Sequence, residues 1–562
     1  MGTFEKLNGQ DEQQTLGMGL TTWNKPDAGD EKTSEKEPQS ETEKKEYLTI
    51  DQVVDKMYNG LNLKLVLLFI VAASPTSQTA AQVYMTIFTG FIPYSEWTCV
   101  SEKCLNLLAE SNYSQAFYSA KPMCTNQLVA GTDFNWTSER TSFSMDWGIY
   151  CESESKLSVV SSFFFIGAFI GLVSSTAVFD RFGRKNGAIA GNMIAAAATI
   201  AAPWFPHYEV MLAVRILQGL GMFINLTGVY CWVVEFSPSH LRSTVSPLIL
   251  VTWCFGYLVI IVIGYLIPYW KYIFVTTGAL NVLLIIPLLV LPISPRFALV
   301  RGREEEAKKI LEAFSRLCNN EICMDKIHLD YTTRVQNYFE QIKDFKKYPT
   351  FRKQTLLCVL SWFIVATLFY GFDFGWGKVS TNLYSSYLFA ALGKVLAITV
   401  TIPACNWMGR KHSIILFLVC AILLFFLAMP DVLIVKGWTL EFGACLLGSM
   451  AISAAYAINY LYTSELAPTS HRGMIMSLCS SAARVGSFLG IYTSLLYDIT
   501  DRRVPLVLFA GLSTIYVTAV LFLSDTTGKR IPETPYDVEV MAGNQKYQPV
   551  ENGVDKMKLE SA

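Results

Sequence analysis

An all-α membrane protein of about twelve spanning helices, arranged as two six-helix bundles, is the fold class the sequence predicts, and three observations carry it. Apolar runs of about 20 residues alternate with short polar turns along most of the 562 residues, of which 52% are hydrophobic and only 16% charged. Such runs suit helices that cross a hydrocarbon layer ~30 Å thick with their backbone bonded internally. A set of turn marks also occurs twice. Asp180-Arg-Phe-Gly183-Arg184-Lys185 is followed by Glu235-Phe-Ser-Pro238-Ser-His-Leu-Arg242, and Asn406-Trp-Met-Gly409-Arg410-Lys411 by Glu465-Leu-Ala-Pro468-Thr-Ser-His-Arg472, as expected of two related halves. Lastly, the basic turns, among them Arg181, Arg184, Arg242, Arg410 and Arg472, all fall on one side of an even set of spans, which the positive-inside rule makes cytosolic.

In chain order, residues 1–60 are rich in Glu, Lys, Gln, Asp and Thr and lack apolar periodicity, so they read as a disordered cytosolic tail. No basic n-region followed by an h-region suggests a cleaved signal peptide. The N-terminal bundle, 61–293, has expected spans at 63–91, 156–178, 187–205, 208–232, 245–267 and 270–293, with an extracellular loop at 92–155. A cytosolic linker follows at 294–353, its stretch from Gly302 to Leu317 spaced as an amphipathic helix. The C-terminal bundle, 354–523, has expected spans at 354–374, 381–404, 413–430, 437–462, 473–497 and 503–523, and 524–562 is a second cytosolic tail.

Composition excludes some functions. Lys plus Arg, 45, nearly equals Asp plus Glu, 46, so no charge excess points to a nucleic acid. The five histidines are scattered without metal-ligand spacing, and neither metal nor cofactor is expected. No nucleophile cluster suggests an enzyme. Of thirteen cysteines, Cys99, Cys104, Cys124 and Cys151 share the 92–155 loop with two glycosylation acceptors, Asn112-Tyr-Ser114 and Asn135-Trp-Thr137. That combination reads as an oxidising compartment. Three disulfide pairings of the four remain open.

The charges inside the spans carry the functional reading. If a helix begins near Arg472, Arg484 sits roughly 18 Å along it, close to the bilayer middle. A charge there costs on the order of 2.5 to 3.5 kcal/mol, and an anionic solute in a shared aqueous cavity would offset it. Lys394 is a second buried cation. Glu209, Glu235, Asp373, Glu441 and Glu465 all lie near span ends, so both cations are expected to be unpaired, and proton symport lacks an embedded acid. Arg215, nearer the outer end of its span, reads as structural. Trp362, Tyr370, Tyr456, Tyr460, Tyr257 and Tyr265 offer aromatic faces and hydroxyls for a flat organic solute. In the turns, Gly183 and Gly409 permit a tight bend, Asp180 favours a helix N-terminus, and Arg184 and Arg410 can pair with Glu235 or Glu465. The cluster is expected to latch the cytosolic faces of the two bundles together.

These paired turns, with Ser294-Pro-Arg296, Gly302-Arg303, Glu306-Ala307 and Arg530-Ile-Pro532-Glu533-Thr534, resemble the major facilitator superfamily over roughly residues 60–535. Trp147-Gly-Ile-Tyr-Cys151 resembles the W-x-x-x-C of its organic ion transporter family, and Trp362 with Phe369-Tyr370 is similar to that family's seventh helix. Ala483-Arg484-Val485-Gly486-Ser487 resembles the anion and carnitine branches, whereas cation transporters carry an acidic residue at the position of Arg484. Lys394 departs from the family pattern, which often has an acid there. The resemblance implies a secondary transporter of small organic anions or zwitterions working by alternating access; the basic turns make both termini cytosolic, and a monomer in the plasma membrane is expected. A cation or sugar carrier of the same superfamily and a nontransporting solute sensor are the alternatives. Exchange and facilitated diffusion both remain open.

Overall fold

The computed structural model describes residues 46–57, 63–92, 97–110, 128–149, 151, 153–238, 242–317, 327–330, 338–379, 382–429, 438–501, 503–529 and 531–542. Residues 1–45, Asn112, Cys124 and the end of the C-terminal tail lie outside them. The expectation of disorder throughout 1–60 is corrected at 46–57: Glu46–Thr49 pairs as a strand with Ile327–Asp330, and Ile50–Met57 is a helix whose Ile50, Val53, Val54 and Met57 are buried, enough apolar surface to order it. Twelve helices take the places expected of spans. In the first half these are α1 Leu63–Thr89, α2 Ser153–Phe182, α3 Arg184–Ala201, α4 Tyr208–Glu235, α5 Arg242–Leu266 and α6 Trp270–Leu283. In the second they are α7 Pro349–Val379, α8 Leu383–Met408, α9 Arg410–Leu427, α10 Trp438–Leu466, α11 Arg472–Ile499 and α12 Arg503–Leu521. Among the described residues eleven stretches are long and apolar enough to cross a membrane, α6 among them with its continuation, and the described side chains of α5 add the shorter apolar run Val251–Leu266. A break at Leu284 separates α6 from Ile285–Val290. Pro287 explains it, because its ring crowds the carbonyl four residues back and it has no N–H to donate.

Small residues set the closest helix approaches, as they do where lipid supplies no hydrophobic drive between helices. A Cβ on Gly256 of α5 would lie 1.8 Å from the Ser77 carbonyl oxygen of α1, and one on Gly486 of α11 would lie 2.2 Å from that of Phe363 on α7. Between the halves, α2 packs on α11 and α5 on α8.

The duplicated turns fold as duplicates. Gly183 and Gly409 both have positive φ, 84° and 79°. Arg184 Nε is 3.0 Å from Glu235 Oε1, and Arg410 Nε is 3.0 Å from Glu465 Oε1. Lys185 donates to the carbonyls of Leu289 and Leu291, and Lys411 to those of Leu521 and Leu523, each closing the end of the sixth helix of its own half. Such carbonyls lack intrahelical partners and favour a cation. The expected latch between bundles is therefore corrected: Arg184 pairs with Glu235 and Arg410 with Glu465, each inside one bundle. Glu235 also accepts from Ser294, and Glu465 from Thr526 at 2.7 Å. Asp180 and Arg181 are exposed, and their carbonyls accept from Arg301. Below, the side bearing these turns is the basic face and the side bearing the 92–155 segment the loop face.

On the loop face Cys99 and Cys104 form a disulfide and Cys151 is also disulfide-bonded. Asn135 is exposed in the short strand Phe134–Trp136.

Candidate functional site

α11 packs on α7 within the second half and on α2 of the first, so Arg484 stands at the interface between halves. The residue is 5% exposed. Its guanidinium carbon lies 4.6 Å from the ring centre of Phe223 on α4, across the interface. The hydroxyls of Tyr370, Tyr456 and Tyr460 stand near enough to interact with its charge. Those tyrosines are held in turn by Trp362, whose ring centre is 4.4 Å from that of Tyr460 and 6.1 Å from that of Tyr456. The indole N–H of Trp362 is fixed by Thr463 Oγ1 at 2.8 Å. Among the described residues no carboxylate pairs with Arg484, and its buried Nε has no hydrogen-bond partner.

Lys394 differs from expectation. Its ammonium is ion-paired with the carboxylate of Asp373 on α7, both side chains being almost wholly buried, and Tyr84 of α1 donates to the same carboxylate. The sequence placed Asp373 one residue from the end of an expected span, but α7 continues to Val379 and its paired helix brings Lys394 alongside. The reading of Lys394 as unpaired is thus corrected, and with it the premise that no acid is embedded between the helices. Aromatic rings complete the enclosure: Lys394 Nζ is 3.8 Å from the ring centre of Phe369, 5.0 Å from Tyr257 and 5.7 Å from Tyr84. Tyr84 and Tyr257 stack at 4.0 Å. Phe369 also approaches Tyr456 at 5.1 Å, so the two cationic centres share one aromatic wall.

Of the aromatics singled out from sequence, Trp362, Tyr370, Tyr456, Tyr460 and Tyr257 gather here. Tyr265 does not. It follows Tyr257 by eight residues, roughly 12 Å along the helix, and is 61% exposed at the loop face. Arg215 is structural as expected: it donates to the Gln82 carbonyl and to Gln218, both at 2.8 Å, and covers the Phe164 ring. Tyr84, Asp373 and Phe223 were missed. A signal for the first was present, since α1 carries buried Thr76, Ser77, Gln78, Thr79, Gln82 and Thr86, far more polar groups than a lipid-facing helix would hold.

The helices close on the loop face. Tyr84 to Asp373, Ser162 Oγ to the Tyr492 hydroxyl at 2.9 Å, and Arg140 to the Tyr384 hydroxyl at 2.9 Å each join one bundle to the other there.

Two repeated six-helix bundles with a charged, aromatic site between them define a membrane transporter of the major facilitator class. The sequence model for sugar (and other) transporters matches residues 111–404 and 373–530, and the chain belongs to that family. Human solute carrier family 22 member 2 is 27% identical over 410 residues, 71% of this chain and 72% of that protein. The human organic cation/carnitine transporter 2 is 25% identical over 395 residues, covering 69% and 70%. In structure the chain is similar to the inward-open xylose transporter XylE of E. coli, with a TM-score of 0.56, 15% identity, and coverage of 85% of this chain and 99% of that one. That likeness speaks to the fold, and the relatives match the organic ion transporter resemblance drawn from the motifs.

Proposed function

We propose that the protein carries small organic ions bearing an anionic group, organic anions or zwitterions, by alternating access between its two bundles. The observation that supports this reading is Arg484: a guanidinium at membrane depth, set among tyrosine hydroxyls, with a free buried donor and no pairing carboxylate among the described residues. A solute carboxylate or sulfate would fill that place with charge-assisted hydrogen bonds, while the faces of Trp362, Tyr456 and Tyr460 pack on its body. Lys394 contributes positive potential, but Asp373 neutralises most of it. A zwitterion fits well, since a cationic head can rest on the aromatic faces. The name of one relative, a cation/carnitine transporter, favours the same class, whereas a purely cationic solute would face Arg484 unshielded. The loop face is read as extracellular, with exposed Asn135 as a glycan acceptor, and the membrane as the plasma membrane.

Reconstituted protein is to be tested with labelled organic anions, carnitine, organic cations and sugars. A charged hydrogen bond contributes about 1.5 to 3 kcal/mol, or about ten- to a hundredfold in affinity. Arg484→Ala is expected to lose at least that much for anionic and zwitterionic solutes, with Arg484→Lys intermediate. Undiminished uptake by Arg484→Ala removes the residue from the site. Uptake confined to cations or sugars overturns the solute class.

A further inference from the structure

On the loop face, the described segment 138–142 lies against the end of α5. Thr141 N–H donates to the Pro268 carbonyl at 3.0 Å, and Arg140 enters the gap between α5 of the first bundle and α8 of the second. The end of α5 is made for a cation. Pro268 has no N–H with which to continue the helix, so the Gly264 carbonyl is left without its usual partner. Arg140 fills this vacancy: one terminal nitrogen donates to Gly264 at 2.8 Å, and the other donates to Tyr265 at 2.7 Å. The first also donates to the Tyr384 hydroxyl at 2.9 Å, and the Tyr384 ring centre lies 4.8 Å from the guanidinium carbon. Phe88 of α1 stacks on the same ring at 5.6 Å. Beside these contacts is a groove lined by Phe88, Arg140, Pro268, Asn382, Leu383 and Tyr384.

The contacts divide by the body they belong to. Those to Gly264 and Tyr265, and the Thr141 staple, all stay within the first bundle. The one to Tyr384 crosses to the second. We propose that Arg140 is the loop-face latch of the transport cycle: it rides with the first bundle as a side-chain cap of α5, grips Tyr384 while this face is closed, and releases it when the face opens. The latch is independent of which ion is carried. Arg140 does no binding of solute in this account; it sets how often the loop face opens.

Ala391 supplies the reporter. It lies on α8 between Tyr387, which meets Tyr257 across the interface, and Lys394, and it is fully buried. Ala391→Cys in full-length protein in detergent micelles is to be treated with a polar methanethiosulfonate, and modification of the peptide carrying position 391 followed by mass spectrometry. Adding Tyr384→Phe removes the hydroxyl that accepts from Arg140 and keeps the ring. Adding Arg140→Ala removes the donor. Each is expected to raise the labelling rate about tenfold, the population shift from losing one charged hydrogen bond. If Arg140→Ala does not fold, Tyr384→Phe reads the same latch with the loop staple intact. A role confined to loop stability would lower the melting temperature and leave labelling unchanged. Labelling at the parent rate in the folded variants overturns the latch.

Discussion

Deleting one member of the buried Lys394–Asp373 pair separates what the ion pair contributes from what the rings around it contribute. Both side chains are at most 4% exposed. Removing one partner of such a pair typically costs about 3 to 5 kcal/mol, because the other is left as an uncompensated buried charge, whereas replacing both with apolar groups of similar volume is near neutral. The two single deletions are not equivalent here. Asp373→Asn leaves the ammonium over Phe369, Tyr257 and Tyr84, and a desolvated cation–π contact is worth about 2 kcal/mol. Its cost is expected near the lower end, about 3 kcal/mol. Lys394→Met leaves the carboxylate with the Tyr84 hydroxyl in an apolar surround, so about 5 kcal/mol is expected. The double variant Asp373→Asn/Lys394→Met, which leaves no charge at either position, should cost at least about 3 kcal/mol less than the two singles summed. Equilibrium unfolding of the four proteins in mixed micelles measures this cycle. A double variant as unstable as the two singles summed, or Asp373→Asn costing more than Lys394→Met, refutes the reasoning.

Two further outcomes rest on packing and on a buried imidazole. Gly256→Ala is expected to push α5 away from Ser77 of α1, where no room exists for a Cβ, at a cost of about 1 to 3 kcal/mol; an unchanged melting temperature would show that the helices do not meet there. His471, just before α11, is buried with Nε2 3.1 Å from Asp344 Oδ2, and burial holds it below the ordinary histidine range against the pull of that carboxylate. A base whose folded pKa is lowered gives stability that is complete above the unfolded value, about 6.5, and is lost as pH falls toward the folded one. The parent is therefore expected to melt at progressively lower temperature below pH 6.5, and His471→Gln to show a shallower slope; equal slopes would remove His471 as the cause.

The spans were legible because lipid leaves a helix only one way to satisfy its backbone, and twelve apolar runs gave twelve helices. Their ends were not. Hydropathy stops where polar residues begin, yet α7 starts at Pro349 and continues to Val379, and that extension is what turned Asp373 from an edge residue into the partner of Lys394. The turn motifs were legible as residue types, and Gly183 and Gly409 bend as their repetition implied. Which glutamate each arginine would face was not, since the motif occurs in both halves and its residue types allow either pairing. Arg484 stood out as a lone charge in an apolar helix. Arg140 had no such contrast, because a loop arginine carries no periodic signal and its acceptors, the carbonyls of Gly264 and Tyr265, are invisible in side-chain chemistry.

The placement of charge suggests how the site and the bundle motion fit together. Arg484, Lys394 and Asp373 all belong to the second half, while Tyr84, Phe223 and Tyr257 of the first half supply rings and hydroxyls and no charge. Separation of the bundles at the loop face must break the Tyr84–Asp373 hydrogen bond, but it leaves the Lys394–Asp373 pair intact because both members move as one. No buried ion pair between described residues then has to be broken at each turnover. A solute gripped by Arg484 would stay with the second bundle while the first rocks past it, exchanging ring contacts and the Tyr84–Asp373 hydrogen bond rather than an ion pair. Among the described residues no ion pair crosses the moving interface, so the step that opens it works against ring packing, cation–π contacts and charge-assisted hydrogen bonds such as Tyr84–Asp373 and Arg140–Tyr384.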